Sequence, residues 1–209
     1  MEQRLDRCVN MARRYDHSRE ELNEMAMQAA TKIVAEEGLR ALSTRRVAKE
    51  IGYSVGTIYN LFSNLDDLVL RLNGATLDNL HQALSALGRT GMPEEDLRAL
   101  AAKYISFTQD NFHLWNSLFE HRLPAGEELP DNFSRKVNRL LALVEEALEP
   151  VFGENQQECQ KSARVLWSSL HGICSLVTSD KLDVVARETA HELTDSLITH
   201  YLAGLKKGE

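Results

Sequence analysis

From Ser18 almost to the C-terminus, apolar residues recur three and four positions apart, and no stretch alternates apolar with polar residues as a half-buried strand would. The pattern predicts an all-α chain of about nine helices. Ser18, with Glu21 three residues on, has the form of a capping box and opens a first helix that Gly38 stops after Glu37. Leu22, Met25, Ala26, Ala29 and Ile33 form its apolar stripe. Ser43 caps a second helix, in which Val47, Ala48 and Ile51 recur until Gly52 supplies a left-handed stop. Ser54 caps a third, where Ile58 and Phe62 face inward and Val55, Thr57, Tyr59 and Asn60 fall on the remaining surface. After Ser63 and Asn64, a long fourth helix carries Asp66 and Asp67 in its first turn and an apolar series from Leu68 through Leu84 to Leu87.

Gly88, Gly91 and Pro93 then break the periodicity. Pro93 with three acids opens a fifth helix, periodic from Leu97 to Phe107. Residues 113–124 read as a short aromatic-rich helix ended by Pro124, and Pro130-Asp131-Asn132 opens another that runs to Glu149 before Pro150. Two last helices are expected at about 155–178 and 183–206. Three units follow: an arm over 1–17, a small head over 18–65 and a helical body over 66–209. The arm, with Arg4, Arg7, Arg13 and Arg14 offset by Glu2, Asp6 and Asp16, leaves two readings open: a solvated extension, or an arm that lies along phosphates or reaches a minor groove.

Two short capped helices meeting at a glycine corner, Ser43 to Phe62, make a helix-turn-helix whose outward face is free to enter a DNA major groove. Net charge first argues against that: 24 Lys/Arg against 31 Asp/Glu gives −7. The charge is unevenly placed, however. Residues 1–65 hold 10 and 9, net +1, which leaves 14 and 22, net −8, for residues 66–209. DNA is therefore expected at the N-terminal end alone.

The run AATKIVAEEGLRALSTRRVAKEIGYSVGTIYNLFSNLDDLVL, residues 29–70, resembles the DNA-binding domain of the tetracycline-repressor family of bacterial transcriptional regulators. The resemblance implies a homodimeric regulator, most often a repressor, that binds a palindromic operator. Ser43, Thr44, Arg45 and Ser54 are expected to meet phosphates, and Val55, Thr57, Tyr59 and Asn60 to meet base edges. Two positions depart from the family: Leu61 stands where His is usual, and Leu65 where a phosphate-contacting Lys is usual, so those backbone contacts are missing from the pattern.

In the body, Trp167, His171 and Gly172 lie at i, i+4 and i+5. This run resembles the Trp-His-Gly signature of one C-terminal domain type in the same family, which implies a pocket for a small apolar or amphipathic ligand. Phe107, Trp115, Phe119 and His121 join Trp167 and His171 as candidate walls, with packing in an ordinary core as the open alternative for each. The last two helices carry broad apolar stripes, from which Leu166, Leu170, Ile173, Leu193, Leu197 and Tyr201 are expected to pair with a second copy in a four-helix bundle.

No HExxH, CxxC, GxSxG or phosphate-cradling glycine loop occurs, so no catalytic residue, metal or cofactor is expected. Cys8, Cys159 and Cys174 suit reduced thiols in a cytoplasm, as core residues or as a redox sensor. No apolar run approaches the ~18 residues of a membrane span. Two other readings stand beside the ligand-responsive regulator: a DNA-binding architectural protein or co-regulator whose pocket is filled core, and a helical cytosolic enzyme using His171.

Overall fold

The computed structural model describes residues 17–205. The expected arm, apart from His17, lies outside the described residues, as does Cys8. Within them the chain is all-helical, with ten α-helices and one 3₁₀ turn. The first four helices are α1 (Arg19–Glu37), α2 (Thr44–Glu50), α3 (Val55–Leu61) and α4 (Leu65–Ser85), with the 3₁₀ turn at Leu39–Ala41. The body adds α5 (Pro93–Asp110), α6 (Phe112–Glu120), α7 (Asp131–Phe152), α8 (Gln156–Thr178), α9 (Leu182–Val185) and α10 (Ala190–Leu205).

The caps that the sequence announced are formed. Ser18 and Glu21 complete a capping box on α1. Ser43, Ser54 and Asn64 accept from the amides of Arg46, Thr57 and Asp67 at the starts of α2, α3 and α4. At the corner between α2 and α3, Gly52 has φ +75°, and the amides of Gly52 and Tyr53 bond back to the carbonyls of Lys49 and Ala48.

Four boundaries differ from expectation. The aromatic helix α6 ends at Glu120 rather than at Pro124, because His121 is already extended and the Leu123-Pro124 step disfavours a further turn. Conversely, α7 runs through Pro150 to Phe152. A proline removes one donor, but Val151 and Phe152 are held against the body's core, and the Gly153 amide closes the end on the Glu149 carbonyl at 2.9 Å. The fourth helix stops at Ser85, short of Leu87. The expected last helix is two: Ala186 is extended, and Thr189 with Glu192 forms a capping box that starts α10 anew, with Thr189 N to Glu192 Oε2 at 2.8 Å and Glu192 N to Thr189 Oγ1 at 3.2 Å.

The head is built around Ala30, Ile33, Val34, Val47, Ile58, Leu61 and Phe62, and Leu68, Val69 and Leu72 of α4 belong to the same core. Farther along, Leu77, Leu80 and Leu84 of α4 belong instead to the core of the body. Between the two sets, Asn73 and Thr76 are buried: Asn73 Nδ2 donates to the Ser117 carbonyl at 3.2 Å and its Oδ1 accepts from the Ser117 hydroxyl. A second junction lies at Gly38, whose φ of +82° suits glycine and where His113 of α6 packs against the end of α1. Among the described residues no helix is long and apolar enough to cross a membrane.

Thr189→Ala removes half of the box that starts α10 and is expected to lower stability by about 0.5–2 kcal/mol, as N-cap losses do. Urea denaturation should show the lower midpoint with an unchanged slope.

Candidate nucleic-acid interface and internal cavity

On the head, α3 exposes Tyr59, 56% accessible, together with Asn60, Gly56 and Ser54. Thr57 is half-buried and its hydroxyl lies 3.1 Å from that of Ser54, so both hydroxyls already serve the cap. Val55 is partly turned in against the head's core. Of the residues expected at phosphates, Arg45 is exposed while Ser43 and Thr44 are half-buried at the start of α2. Leu61 is core, and Leu65 is 37% exposed in the first turn of α4.

Several of the head's cations are already paired. Arg46 grips Glu37 with both terminal nitrogens, Lys32 holds Glu50 at 2.8 Å, and Arg71 holds Asp67 at 2.8 Å while lying over the Phe62 ring. Those partners raise the Lys32 and Arg46 pKa values and lower those of Glu50 and Glu37. Among the described residues, Arg40, Arg45 and Lys49 make no ion pair. Three residues that the pattern did not single out frame a depression of about 590 Å³ beside α3: His17 and Tyr53, whose Nδ1 and hydroxyl meet at 2.7 Å, and Arg19, which donates to the Asn60 carbonyl at 3.3 Å. Tyr53 directly before the Ser54 cap was the available signal.

The body holds an apolar, partly open cavity of about 50 Å³ between α4, α5, α7, α8 and α10. Its wall is chiefly leucine, with Leu80 and Leu84 of α4, Leu100 of α5 and Leu140 of α7 opposite Leu170 and Trp167 of α8. Trp167 is the one expected wall residue that lines it. His171 lies one turn on, with its ring stacked on Trp167 at 5.3 Å between centroids and 5° between planes, and on Phe119 at 4.1 Å. Trp115 meets Tyr104, Phe119 and His171 edge-on, and Phe107 meets Trp115. Phe107, Trp115, Phe119 and His171 are thus brought together as an aromatic cluster behind the cavity wall. Phe119, 47% exposed, is its outer end.

His121 is not part of that cluster. Since α6 stops before it, its ring turns to Asp66 in the first turn of α4, Nε2 to Oδ1 at 2.8 Å. The expected dimer residues are also redistributed. Leu166, Leu170 and Leu197 line the chain's own cavity, Ile173 packs on the body's core, and the Tyr201 hydroxyl donates to Ser162 at 2.9 Å, tying α10 to α8 within one chain. Leu193 is half-buried. The buried stripe of α10 is Ala190, Thr194, Ile198 and Leu202, one position out of phase with the leucine stripe read from the sequence. Cys159 and Cys174 are buried and burial raises both thiols, Cys174 to about 11, which disfavours a reactive thiolate at either.

The His171 Nδ1 and the Tyr104 hydroxyl are 3.2 Å apart. Burial lowers the imidazole pKa and raises that of the phenol, so both groups are held neutral.

Comparison with known proteins gives two family matches. Residues 26–72 match the profile described as bacterial regulatory proteins, tetR family, and residues 97–201, half of the chain, match the one described as tetracyclin repressor-like, C-terminal domain. An uncharacterized HTH-type transcriptional regulator of Mycobacterium tuberculosis is 22% identical over 184 residues, 88% of this chain and 81% of its own length. A protein of unknown function from Rhodococcus sp. RHA1 superposes with a TM-score of 0.73 at 19% identity, over 92% of this chain and 98% of that one. The transcriptional regulator FadR from Bacillus subtilis, solved in complex with stearoyl-CoA, gives 0.62 at 15% identity, over 87% and 98%. At such identities the two superpositions speak for the fold alone.

The His171 environment carries a pH prediction. A histidine with a depressed folded pKa binds protons less readily folded than unfolded, so its contribution is complete above the unfolded value of about 6.5 and is lost as pH falls from there toward the folded value. His171→Phe keeps the two stacking contacts and removes the titration. The difference in denaturation midpoint between wild type and variant should therefore change between pH 7.5 and 5.5, in the direction that favours the variant in acid.

Proposed function

The chain belongs to the tetracycline-repressor family of bacterial regulatory proteins and is a DNA-binding transcriptional regulator, and we propose that it acts in the cytoplasm as a homodimeric repressor released from a palindromic operator by a small molecule in the body. The observation that carries this reading is the α4 helix, whose first half belongs to the head's core while Leu80 and Leu84 in its second half form part of the cavity wall. A guest that rearranges the wall moves the helix that carries α3, and so changes the distance between two recognition helices in a dimer.

On the DNA face, Tyr59 and Asn60 are the exposed side chains best placed for base edges, with Thr57 and Val55 at the margin. Arg45, Arg40 and Lys49, cations of the head that make no ion pair among the described residues, serve phosphates alongside Ser43, Thr44 and Ser54. Arg45→Ala should weaken binding across all sequences and lower the slope of log affinity against log salt by about one unit per protomer. Asn60→Ala should relax preference at a base position, read by selection from a randomised duplex pool. Both variants altering sequence preference with no change in salt slope would reverse the two assignments.

For the dimer, the outer face of α8 is a candidate beside the residues first chosen, of which Leu166, Leu170 and Leu197 also line the single chain's own cavity while Leu193 is half-buried. Val165, 42% exposed, lies on that face with Ser168 and Gly172, and small side chains allow a second helix pair to approach closely. Val165→Asp leaves the monomer's interior untouched and should give folded monomers in sedimentation with operator binding largely lost. Full-size dimers from this variant would rule out the α8 face. Leu170→Asp is not an equivalent test, since it places a carboxylate in the cavity wall of the single chain.

A further inference from the structure

The cavity wall contains no charged side chain and two hydroxyls, those of Tyr104 and Thr194. The Tyr104 hydroxyl is engaged by His171. Thr194 is different: it is 4% exposed and, among the described residues, its Oγ1 has no hydrogen-bond partner. A threonine in a helix ordinarily satisfies its hydroxyl on the carbonyl one turn back, and a buried unpaired hydroxyl carries a desolvation cost. The position is distinctive in the sequence as well, a single polar residue in the stripe Ala190, Thr194, Ile198, Leu202.

Thr194 also marks where the cavity nears solvent. A surface groove of about 350 Å³ between α5 and α10 shares Ala101, Thr194 and Ile198 with the cavity. Across its rim Arg98 of α5 holds Asp195 and Thr199 of α10. The orphan hydroxyl therefore sits at the outer end of an apolar chamber, under a polar bridge. A water occupies about 10–15 Å³ of such space, so about 50 Å³ accommodates a short chain end without movement and a longer one only by displacing leucine side chains.

We infer that this cavity takes an uncharged, mainly aliphatic molecule bearing one hydrogen-bonding group, with that group on Thr194 Oγ1 and the chain pointing to Trp167 and Leu140, and that the molecule passes between α5 and α10. The inference rests on the effector-cavity reading above and narrows it to a ligand class. No charged side chain lines the chamber, and Arg98 at its rim is already paired with both Glu94 and Asp195, so an ionised head would gain no free counter-charge and carboxylates and phosphates are disfavoured.

The test uses the full chain and a series of straight 1-alkanols from butanol to dodecanol, with the 1-chloroalkane and the alkanoate of each length. Binding is read by calorimetry and by the fluorescence of the two tryptophans, of which Trp167 is on the wall. Alkanols should bind more tightly with length up to a cut-off, and more tightly than their alkanoates. Thr194→Val, which keeps the shape and removes the hydroxyl, should weaken alkanol binding about three- to tenfold, the size of one hydrogen bond, and leave the chloroalkanes unchanged. Arg98→Ala should speed association and dissociation by similar factors in stopped flow, with little change in affinity.

Equal alkanol affinity in wild type and Thr194→Val would overturn the anchor, and tighter binding of alkanoates would overturn the uncharged class. Unchanged rates in Arg98→Ala would place the portal elsewhere. No binding by any alkanol or chloroalkane would overturn the proposed ligand class altogether. None of these outcomes touches the DNA-binding reading, which is tested separately by operator affinity and its salt slope without any small molecule.

Discussion

One helix belongs to two cores, and the rest of the molecule is arranged around that constraint. The first half of α4 buries Leu68, Val69 and Leu72 among the helices of the head, and its second half buries Leu77, Leu80 and Leu84 among those of the body. A helix is stiff along its axis, since each turn is bonded to the next. Head and body therefore cannot be reoriented independently unless α4 bends or shifts as a rod. Seven-residue helices such as α2 and α3 are too short to hold their shape in water and depend on this packing for their own structure.

The junction is polar where one would expect apolar filling. Asn73 and Ser117 satisfy each other in a buried site between α4 and α6, and His121 meets Asp66 at the head end of α4. Leucines there would pack well but would tolerate sliding; paired amide and hydroxyl groups in a low-dielectric site are satisfied in one register. The geometry thus places α6 as a second connection, pinned to α4 by Ser117, against the end of α1 at Gly38, and into the aromatic cluster by Trp115 and Phe119. Trp167 at the cavity wall is in contact with α6 through the stacked His171 and Phe119, and shares that wall with the leucines of α4.

Much of the head was legible because its signals are local. Ser18, Ser43, Gly52, Ser54 and Asn64 act on amides within a few residues of themselves, and their chemistry fixes where helices begin and end regardless of tertiary context. The body was legible as helices but not as contacts. Two stripes run along α10 at helical spacing, and the one richer in large side chains, Leu193, Leu197 and Tyr201, drew the prediction; the rotation of the helix, set by its neighbours, buried Ala190, Thr194, Ile198 and Leu202. His121 was grouped with the aromatics because it follows Phe119 closely, yet the helix ends between them and sends it to another partner. The Thr189 and Glu192 box was a local signal of the same kind as those in the head, and it was overlooked because the apolar periodicity continued across it.

The charge pattern constrains what kind of DNA binding this head favours. A body with net charge −8 is repelled by a polyanion, so the molecule approaches head first. Within the head, however, Arg46 and Lys32 are paired with Glu37 and Glu50, Arg71 just beyond it on α4 is paired with Asp67, and the Leu61 and Leu65 positions carry no charge at all. Among the described residues of the head few cations remain for phosphates, which limits their sequence-independent contribution, since that part grows with the number of phosphates neutralised. Discrimination then rests more heavily on the exposed face of α3. In the proposed dimer, two such heads held at a fixed spacing engage both half-sites at once, which adds affinity that a more basic single head would draw from the backbone.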